Sequence, residues 1–428
     1  MLAAVFAAAV VRQVTGRGPP LWVAFALGAV VTIPLGVLSV PDVATELASS
    51  APTLAFLFAL FVFASALESA GALDHLARWL VGRARRPGDL PFFLFVGFGL
   101  ASALMINDAL VLIGAPILIG VALRLGVAPK PLLFVLAFAV TVGSTLTPFG
   151  NPQNLLVAGA SGLASPVATF LRYLALPTAL NLLLGGWYLR GAYRDRMPPD
   201  DDRYARARAE APPLWPTGGW GRRLVERPVL GVFPVTLGAI VGLSVTAAFV
   251  PAWSLPSWEI ALGGAVVLLA LSPLRSTDLR RVNWSVLLLF AGLFVVVDGA
   301  VRGGVIAGLE SFLPIPGPGH TPIAVGAIVG SSLVGSQLVS NVPWVALQIP
   351  LLTSVGYGAG TPIAWMALAA GSTLAGSVTL LGAISNVILV DAAERRGITI
   401  RLGEFVRNGL PIAAITVAVL VVCLSVGL

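Results

Sequence analysis

A chain of 428 residues that is 57% hydrophobic and only 11% charged is too apolar for a soluble domain, where about 25% of residues are charged. Its single cysteine, Cys423, excludes an intramolecular disulfide, and two histidines, His75 and His320, are too few for a histidine-built metal site. The net charge of +7 falls in clusters between apolar runs, so it marks one side of a bilayer and calls for no nucleic acid.

In chain order, the run from Met1 to Val11 is apolar but short. No basic segment precedes it and no A-x-A site follows, so it reads as a truncated first span and not as a cleaved signal. Apolar stretches follow at 20–40, 52–66, 128–146, 167–192, 229–250, 257–273, 284–301, 361–381 and 408–428. Each approaches the ~20 residues that a spanning helix needs. Lys and Arg gather in 83–86, at Arg124 and Lys130, through 190–227, at Arg275, Arg280 and Arg281, and from Arg395 to Arg407. The loops 41–52, 161–166, 251–258 and 314–320 carry none. With the basic clusters inside, only Arg172 and Arg302 of 26 basic residues fall toward the outside. The expectation is a multi-pass protein of the cell membrane with cytoplasmic basic loops.

Two stretches do not fit single crossings. Stretch 91–125 has basic clusters on both sides, so it enters and leaves on one face as a re-entrant hairpin with its tip near "MINDAL" (105–110). Stretch 321–355 does the same from the outside, with its tip near "LVSNVP" (338–343).

The chain also repeats itself. "FALFVFASALESAGAL" (58–73) aligns with "FAGLFVVVDGAVRGGV" (290–305), "INDALVLIGAPI" (106–117) with "SNVPWVALQIPL" (340–351), and "TPFGNPQN" (147–154) with "TLLGAISN" (379–386). The first and third pairs are offset by 232 positions and the second by 234. Because the hairpins start from opposite faces, the halves are inverted copies. The expected fold is an all-α polytopic membrane protein of about ten spans plus two hairpins, with a broken transmembrane helix in each repeat. The N-terminal repeat occupies 1–192, with its hairpin at 91–125 and broken helix at 128–160. The C-terminal repeat occupies 229–428, with its hairpin at 321–355 and broken helix at 361–393. Between them, 193–228 is charged, proline-rich and aperiodic, which predicts a cytoplasmic linker of low order.

A helix broken at mid-membrane must border protein or a watery cavity. Pro148 and Pro152 interrupt the first break, and Pro152 suits the first turn of a second half-helix. The first half-helix then ends near Thr147 with free carbonyls, and the second begins with free N–H groups from Gln153, Asn154 and Leu155. Carbonyl ends attract cations and N–H ends attract anions. Asn107 and the Ser340–Asn341 pair add amides and further helix ends at the two tips. Asp108, an ionisable group inside a membrane segment, is the sharpest candidate for ion coupling. The competing reading has it capping the returning hairpin helix. Glu68 and Asp298 are expected to pair structurally or touch the cavity, with Arg302 as a partner; Asp74, Glu310 and Asp391 are interfacial. Gln337, Trp344 and Gln348 flank the second tip and read equally as pathway lining or packing.

These tips and breaks resemble the ion transporter superfamily of arsenite permeases (ArsB), NhaD-type sodium/proton antiporters and divalent-anion/sodium symporters. The "TPFGNPQN" string points toward the ArsB/YbiR-like anion permease branch. The resemblance implies that Asn107, Thr147, Gly150, Asn151 and Asn154 form one half of a substrate site. Ser340, Asn341, Thr379, Gly382, Ser385 and Asn386 would form the other. It also implies a homodimer, and sodium as the candidate cation at Asn107, Asn341 and the broken-helix carbonyls; no other cofactor is expected. The tips read "IND" and "SNV" where dicarboxylate symporters carry Ser-Asn-Thr, so the hydroxyl partners of those symporters are incomplete.

The expected function is secondary active transport of a small inorganic or organic anion, or an oxyanion such as arsenite. It would be coupled to a proton or sodium gradient by alternating access. The alternative is an NhaD-type sodium/proton antiporter without an anion substrate. An intramembrane enzyme would need a nucleophile–base pair or metal ligands at depth, and no core segment carries a histidine.

Overall fold

The structure, a computed structural model, describes residues 20–213, 227–250, 255–272, 275–318 and 321–427. The short run Met1–Val11, His320 and the middle of the linker lie outside the described residues. Among those described there are helices and turns and no strand. Among the described residues, eight helices are long and apolar enough to cross a membrane.

The chain opens with a short helix α1 (Leu21–Val31) and the 30-residue α2 (Val40–Ser69). The sequence reading had placed a loop at 41–52, but those residues form the first third of α2. A capping box starts the helix there: Ser39 accepts from the Asp42 N–H, and the Asp42 carboxylate accepts from the Ser39 N–H at 2.9 Å. Proline is tolerated in the first turn, so Pro41 does not stop it. Next come α3 (Ala72–Arg83), α4 (Leu90–Ser102), α5 (Asn107–Leu125), α6 (Pro129–Gly143), α7 (Pro152–Ala160) and α8 (Pro166–Tyr193).

The linker contains α9 (Asp202–Ala209), which is docked and not loose. Its Tyr204 is buried and donates to the Ala84 carbonyl at 2.9 Å, and burial pushes the phenol pKa up. His75 Nε2 lies 2.8 Å from the Pro213 carbonyl oxygen and ties the end of this segment to α3. A buried tyrosine with a partner, backed by the His75 tie and by Arg208 on the Arg85 carbonyl, orders a charged segment that composition alone assigns to coil.

The second half runs α10 (Val229–Phe249), α11 (Ser257–Leu271), α12 (Arg275–Arg280), α13 (Trp284–Arg302), α14 (Val305–Phe312), α15 (Thr321–Val339), α16 (Asn341–Ser354), α17 (Pro362–Leu374), α18 (Ile384–Glu394) and α19 (Leu402–Ser425). The inverted repeats pair α2 with α13, α4 and α5 with α15 and α16, and α6 and α7 with α17 and α18. Even the punctuation repeats. Gly71 (φ +69°) ends α2 before the short α3, and Gly304 (φ +74°) follows α13 before the short α14.

Packing separates two groups of helices. α1 lies on α13, and α2 lies on both α11 and α13. In the other group α4 packs on α6 and α8, while α15 packs on α17 and α19. The halves then cross: α5 lies on α18, and α16 lies on α7. Each returning hairpin helix therefore rests on the half-helix that follows the opposite break, and this interlock brings the two breaks together.

Candidate functional site

Each break is built the same way. α6 stops at Gly143, a 3-10 turn covers Ser144–Leu146, and Thr147 is extended before α7 starts at Pro152. α17 stops at Leu374, a 3-10 turn covers Ala375–Ser377, and Thr379 is extended before α18 starts at Ile384. The carbonyls left over at the first break are taken by an asparagine from beyond it. Asn154 Nδ2 donates to the Ser144 carbonyl (2.9 Å) and the Thr147 carbonyl (3.0 Å). Asn386 Nδ2 donates to the Gly376 carbonyl (2.6 Å) and the Thr379 carbonyl (3.2 Å). These residues correspond one to one at the offset of 232. Thr147 and Thr379 each turn the chain with the hydroxyl, which accepts from the Phe149 N–H (3.2 Å) and the Leu381 N–H (3.1 Å).

The expectation of free helix ends needs correction on this geometry. Two of the first break's carbonyls are held by Asn154, and the Asn154 N–H is itself held by the Asn151 side chain at 2.9 Å. Buried backbone groups are nearly always paired, and here asparagine side chains pair them locally. The second break lacks the Asn151 cap. Ala383 stands where Asn151 stands in the first, so α18 begins without a side-chain cap.

The breaks meet through Thr373. Its Oγ1 accepts from Asn151 Nδ2 (2.9 Å) and Gln153 Nε2 (3.3 Å) and lies 3.1 Å from Asn154 Oδ1. Thr141, the matching residue of α6, has its Cγ2 3.5 Å from where a Cβ on Gly376 would sit. Gly150 has no room for a Cβ because the Ser144 backbone fills the space, and at Gly382 the Ala375 carbonyl and the Gln337 amide fill it. Asn107, Asp108, Thr147, Gly150, Asn151, Asn154, Ser340, Asn341, Gly382, Ser385 and Asn386 are buried; Thr379 is half-buried.

At the first tip, the Asn107 N–H donates to the Gly150 carbonyl at 2.8 Å, which joins hairpin to break. The Asn107 Oδ1 is buried without a hydrogen-bond partner. Asp108 follows it in the first turn of α5, only 6% exposed. The N-cap position of α5 is Ile106, which has no capping group, and Asp108 stands just inside it at the positive end of the helix dipole. At the second tip, Ser340 has φ +69° and ψ 161°, the one non-glycine residue at positive φ among those described. Such backbone conformations are nearly confined to glycine and cost about 1–3 kcal/mol, and they persist where function holds them.

The remaining candidates separate clearly. Asp298 pairs with Arg302 (3.2 Å), which also binds Asp42 (2.8 Å), and Glu68 lies 3.8 Å from Arg281. Asp74 and Asp391 form exposed pairs with Arg78 and Arg395 on their own helices. Gln348 is tied to Ser331 (2.8 Å) and Ser332 (2.9 Å) inside the second hairpin, and the Trp344 ring packs on Gly335. Sequence reasoning missed Thr373 and Ser144. Both are small hydroxyl residues at the ends of apolar stretches, and their only signal was their register against the asparagines.

Two cavities lie beside the half-helix α7, and only the first touches a break. One, of about 330 Å³, runs between α2, α10 and α7 to Pro148 and Phe149 at the first break. The other, of about 310 Å³, lies between α2, α13, α7 and α16 and is lined by Glu46, Ser50 and Asp298 among apolar residues. Among the described residues no three His, Cys, Asp or Glu side chains gather as a metal site requires.

Inverted repeats, interlocked broken helices and hairpin tips at their crossing define a multi-pass membrane transporter. Residues 7–371 match the family described as citrate transporter (CitMHS). The chain belongs to that family, within the group that the tips and breaks had suggested. An uncharacterized transporter of Mycobacterium tuberculosis, Rv2684, is 30% identical over 370 residues, 85% of this chain and 82% of that one. The silicon efflux transporter LSI3 of Oryza sativa subsp. japonica is 26% identical over 421 residues, 86% of this chain and 84% of that one. In fold, the chain is similar to the YdaH transporter of Alcanivorax borkumensis (TM-score 0.56, 16% identity, 95% and 98% of the chains covered). It is also similar to the efflux pump MtrF of Neisseria gonorrhoeae (TM-score 0.55, 16% identity, 90% and 83% covered).

Proposed function

We propose that this protein is an ion-coupled secondary transporter of a small anion or oxyacid, working by alternating access. The observation that carries the reading is Asp108: a buried acid in the first turn of α5, beside the unpartnered Asn107 Oδ1, at the crossing of two broken helices. A buried ionisable group in a membrane segment is costly, and a carrier of protons or sodium justifies that cost. Cation and anion then divide between the halves. The first half offers Asp108 and the Asn107 oxygen to a proton or sodium ion. The second offers the uncapped start of α18, with Ser385 and Asn386 in its first turn, to an oxygen-rich substrate. Asn341, Ser340, Thr379 and Gly382 complete that half, and Thr147, Gly150, Asn151 and Asn154 hold the first break in shape. No Lys or Arg is among these residues, which suits a weakly charged or neutral oxyacid as well as a carboxylate.

The family description names citrate and the rice relative is named for silicon, so both belong in the substrate panel. The purified protein in liposomes is tested with labelled citrate, silicic acid, arsenite, sulfate, succinate and tungstate under imposed proton or sodium gradients. Concentrative uptake of at least one solute is expected with one gradient and not without it. Sodium/proton exchange with no solute flux under any gradient would establish the antiporter reading instead. A homodimer, a cytoplasmic-side location for the basic loops and residence in the cell membrane complete the proposal; cross-linking in membranes and tag accessibility test them.

A further inference from the structure

The two hairpins are attached to their breaks by different means. In the first half, three stitches use main chain directly. Ser102 Oγ donates to the Val140 carbonyl (2.8 Å), Thr147 Oγ1 to the Ala103 carbonyl, and the Asn107 N–H to the Gly150 carbonyl (2.8 Å). Between α4 and α6 the backbones touch, because Gly143 lies against the Gly99 carbonyl with no space for a side chain.

The matching positions of the second half behave otherwise. Ser336, the counterpart of Ser102, has a buried hydroxyl with no hydrogen-bond partner. Ala103 is replaced by Gln337, and Thr379 Oγ1 donates to the Gln337 Oε1 at 2.6 Å in place of a main-chain carbonyl. Gln337 Nε2 donates onward to the Ala375 carbonyl (2.9 Å), the counterpart of Gly143, and to the Leu333 carbonyl (3.1 Å) of its own helix. The same amide fills the space against Gly382. One side chain therefore stands where the first half has direct backbone contact, and it ends three residues before the strained Ser340.

We infer that Gln337 is the positioning residue of the second half-site, the single releasable link that holds hairpin 2 on its break while hairpin 1 is stapled by its backbone. Rotating one side chain frees Thr379, the Ala375 carbonyl and the face of Gly382 together, and lets the tip at Ser340 relax. No such rotation frees the first half. Hairpin 2 is accordingly the element that opens in the transport cycle. This rests on the transporter reading for its purpose but not for its geometry, so it is tested without a substrate.

The test is hydrogen–deuterium exchange on the full-length protein in lipid nanodiscs. In the unmodified protein, amides around 338–343 and 375–386 exchange faster than those around 104–109 and 143–154, by about tenfold or more. Gln337→Met keeps the volume but removes the hydrogen bonds, and it speeds exchange further in the second half alone. Thr379→Val does the same, Thr379→Ser does not, and the Met and Val changes combined add little beyond either one, as linked groups do. Equal protection of both tips in the unmodified protein overturns the inference, and that measurement needs no variant to fold. So does a Gln337→Met protein whose exchange is unchanged or is raised equally in both halves.

Discussion

Asn154 and Asn386 each sit just beyond a break, in the first turn of the half-helix that follows it. Read along the chain, an asparagine at a helix break in a membrane is a ligand. In the fold, each amide nitrogen closes a pair of backbone carbonyls left by the helix that ended. Replacing Asn154 with Ala leaves two buried acceptors bare, at about 1–3 kcal/mol each. The expected result is a lower thermal unfolding midpoint for the protein in detergent; an unchanged midpoint would mean that the staple carries no weight. Asp108 contrasts with both: it is nearly as buried and closes nothing. The positions legible in the sequence were those that broke a pattern, polar or helix-breaking residues in apolar runs. Gln337 stood out beside the second tip but read equally as lining or packing, and Thr373 broke no pattern at all, since an isolated threonine in an apolar helix is most simply read as packing. Their roles appear only when the partner across the repeat is known.

Among the elements, the tightest joint is α4 against α6. Gly143→Ala puts a methyl group into the Gly99 carbonyl and must push two helices apart. Gly120→Ala in α5 meets nothing within 4 Å. It should be silent or slightly stabilising, by about 0.5–1 kcal/mol from helix propensity. Expression and monodispersity of the two variants check this: Gly143→Ala is expected to lose folded protein and Gly120→Ala to keep it. Equal yields would contradict the close approach. Element boundaries were less legible than element existence. The start of α2 was hidden because Pro41 and the polar 41–52 stretch look like a loop, although the Ser39–Asp42 capping signal was present. The helix α9 was hidden because it is held by tertiary contacts, Tyr204 on the Ala84 carbonyl and Arg208 on the Arg85 carbonyl, that its own composition does not announce.

Over the whole molecule, the inverted duplication brings the two breaks together. Neither break is a pocket alone, and the crossing of α5 with α18 and of α16 with α7 sets both against a common centre. The duplication was visible as a repeat at 232, but the interlock was not, because nothing in a linear alignment says which half-helix a hairpin rests on. The halves it joins are unlike, with a buried acid in the first and an uncapped helix start in the second, and the proposed division of labour follows from that difference. A transported oxyacid would meet the Asp108 charge unless a proton or sodium ion neutralised it, and that electrostatic conflict is the physical basis proposed for coupling.

The most direct measurement is therefore gradient-driven uptake by the Asp108→Asn variant beside the unmodified protein, in liposomes, for whichever solute the panel identifies. The account predicts that downhill exchange of solute persists while gradient-driven accumulation falls by about tenfold or more, an energy of about 1.4 kcal/mol. Accumulation that survives the change at full strength, with the same dependence on the driving ion, would contradict it.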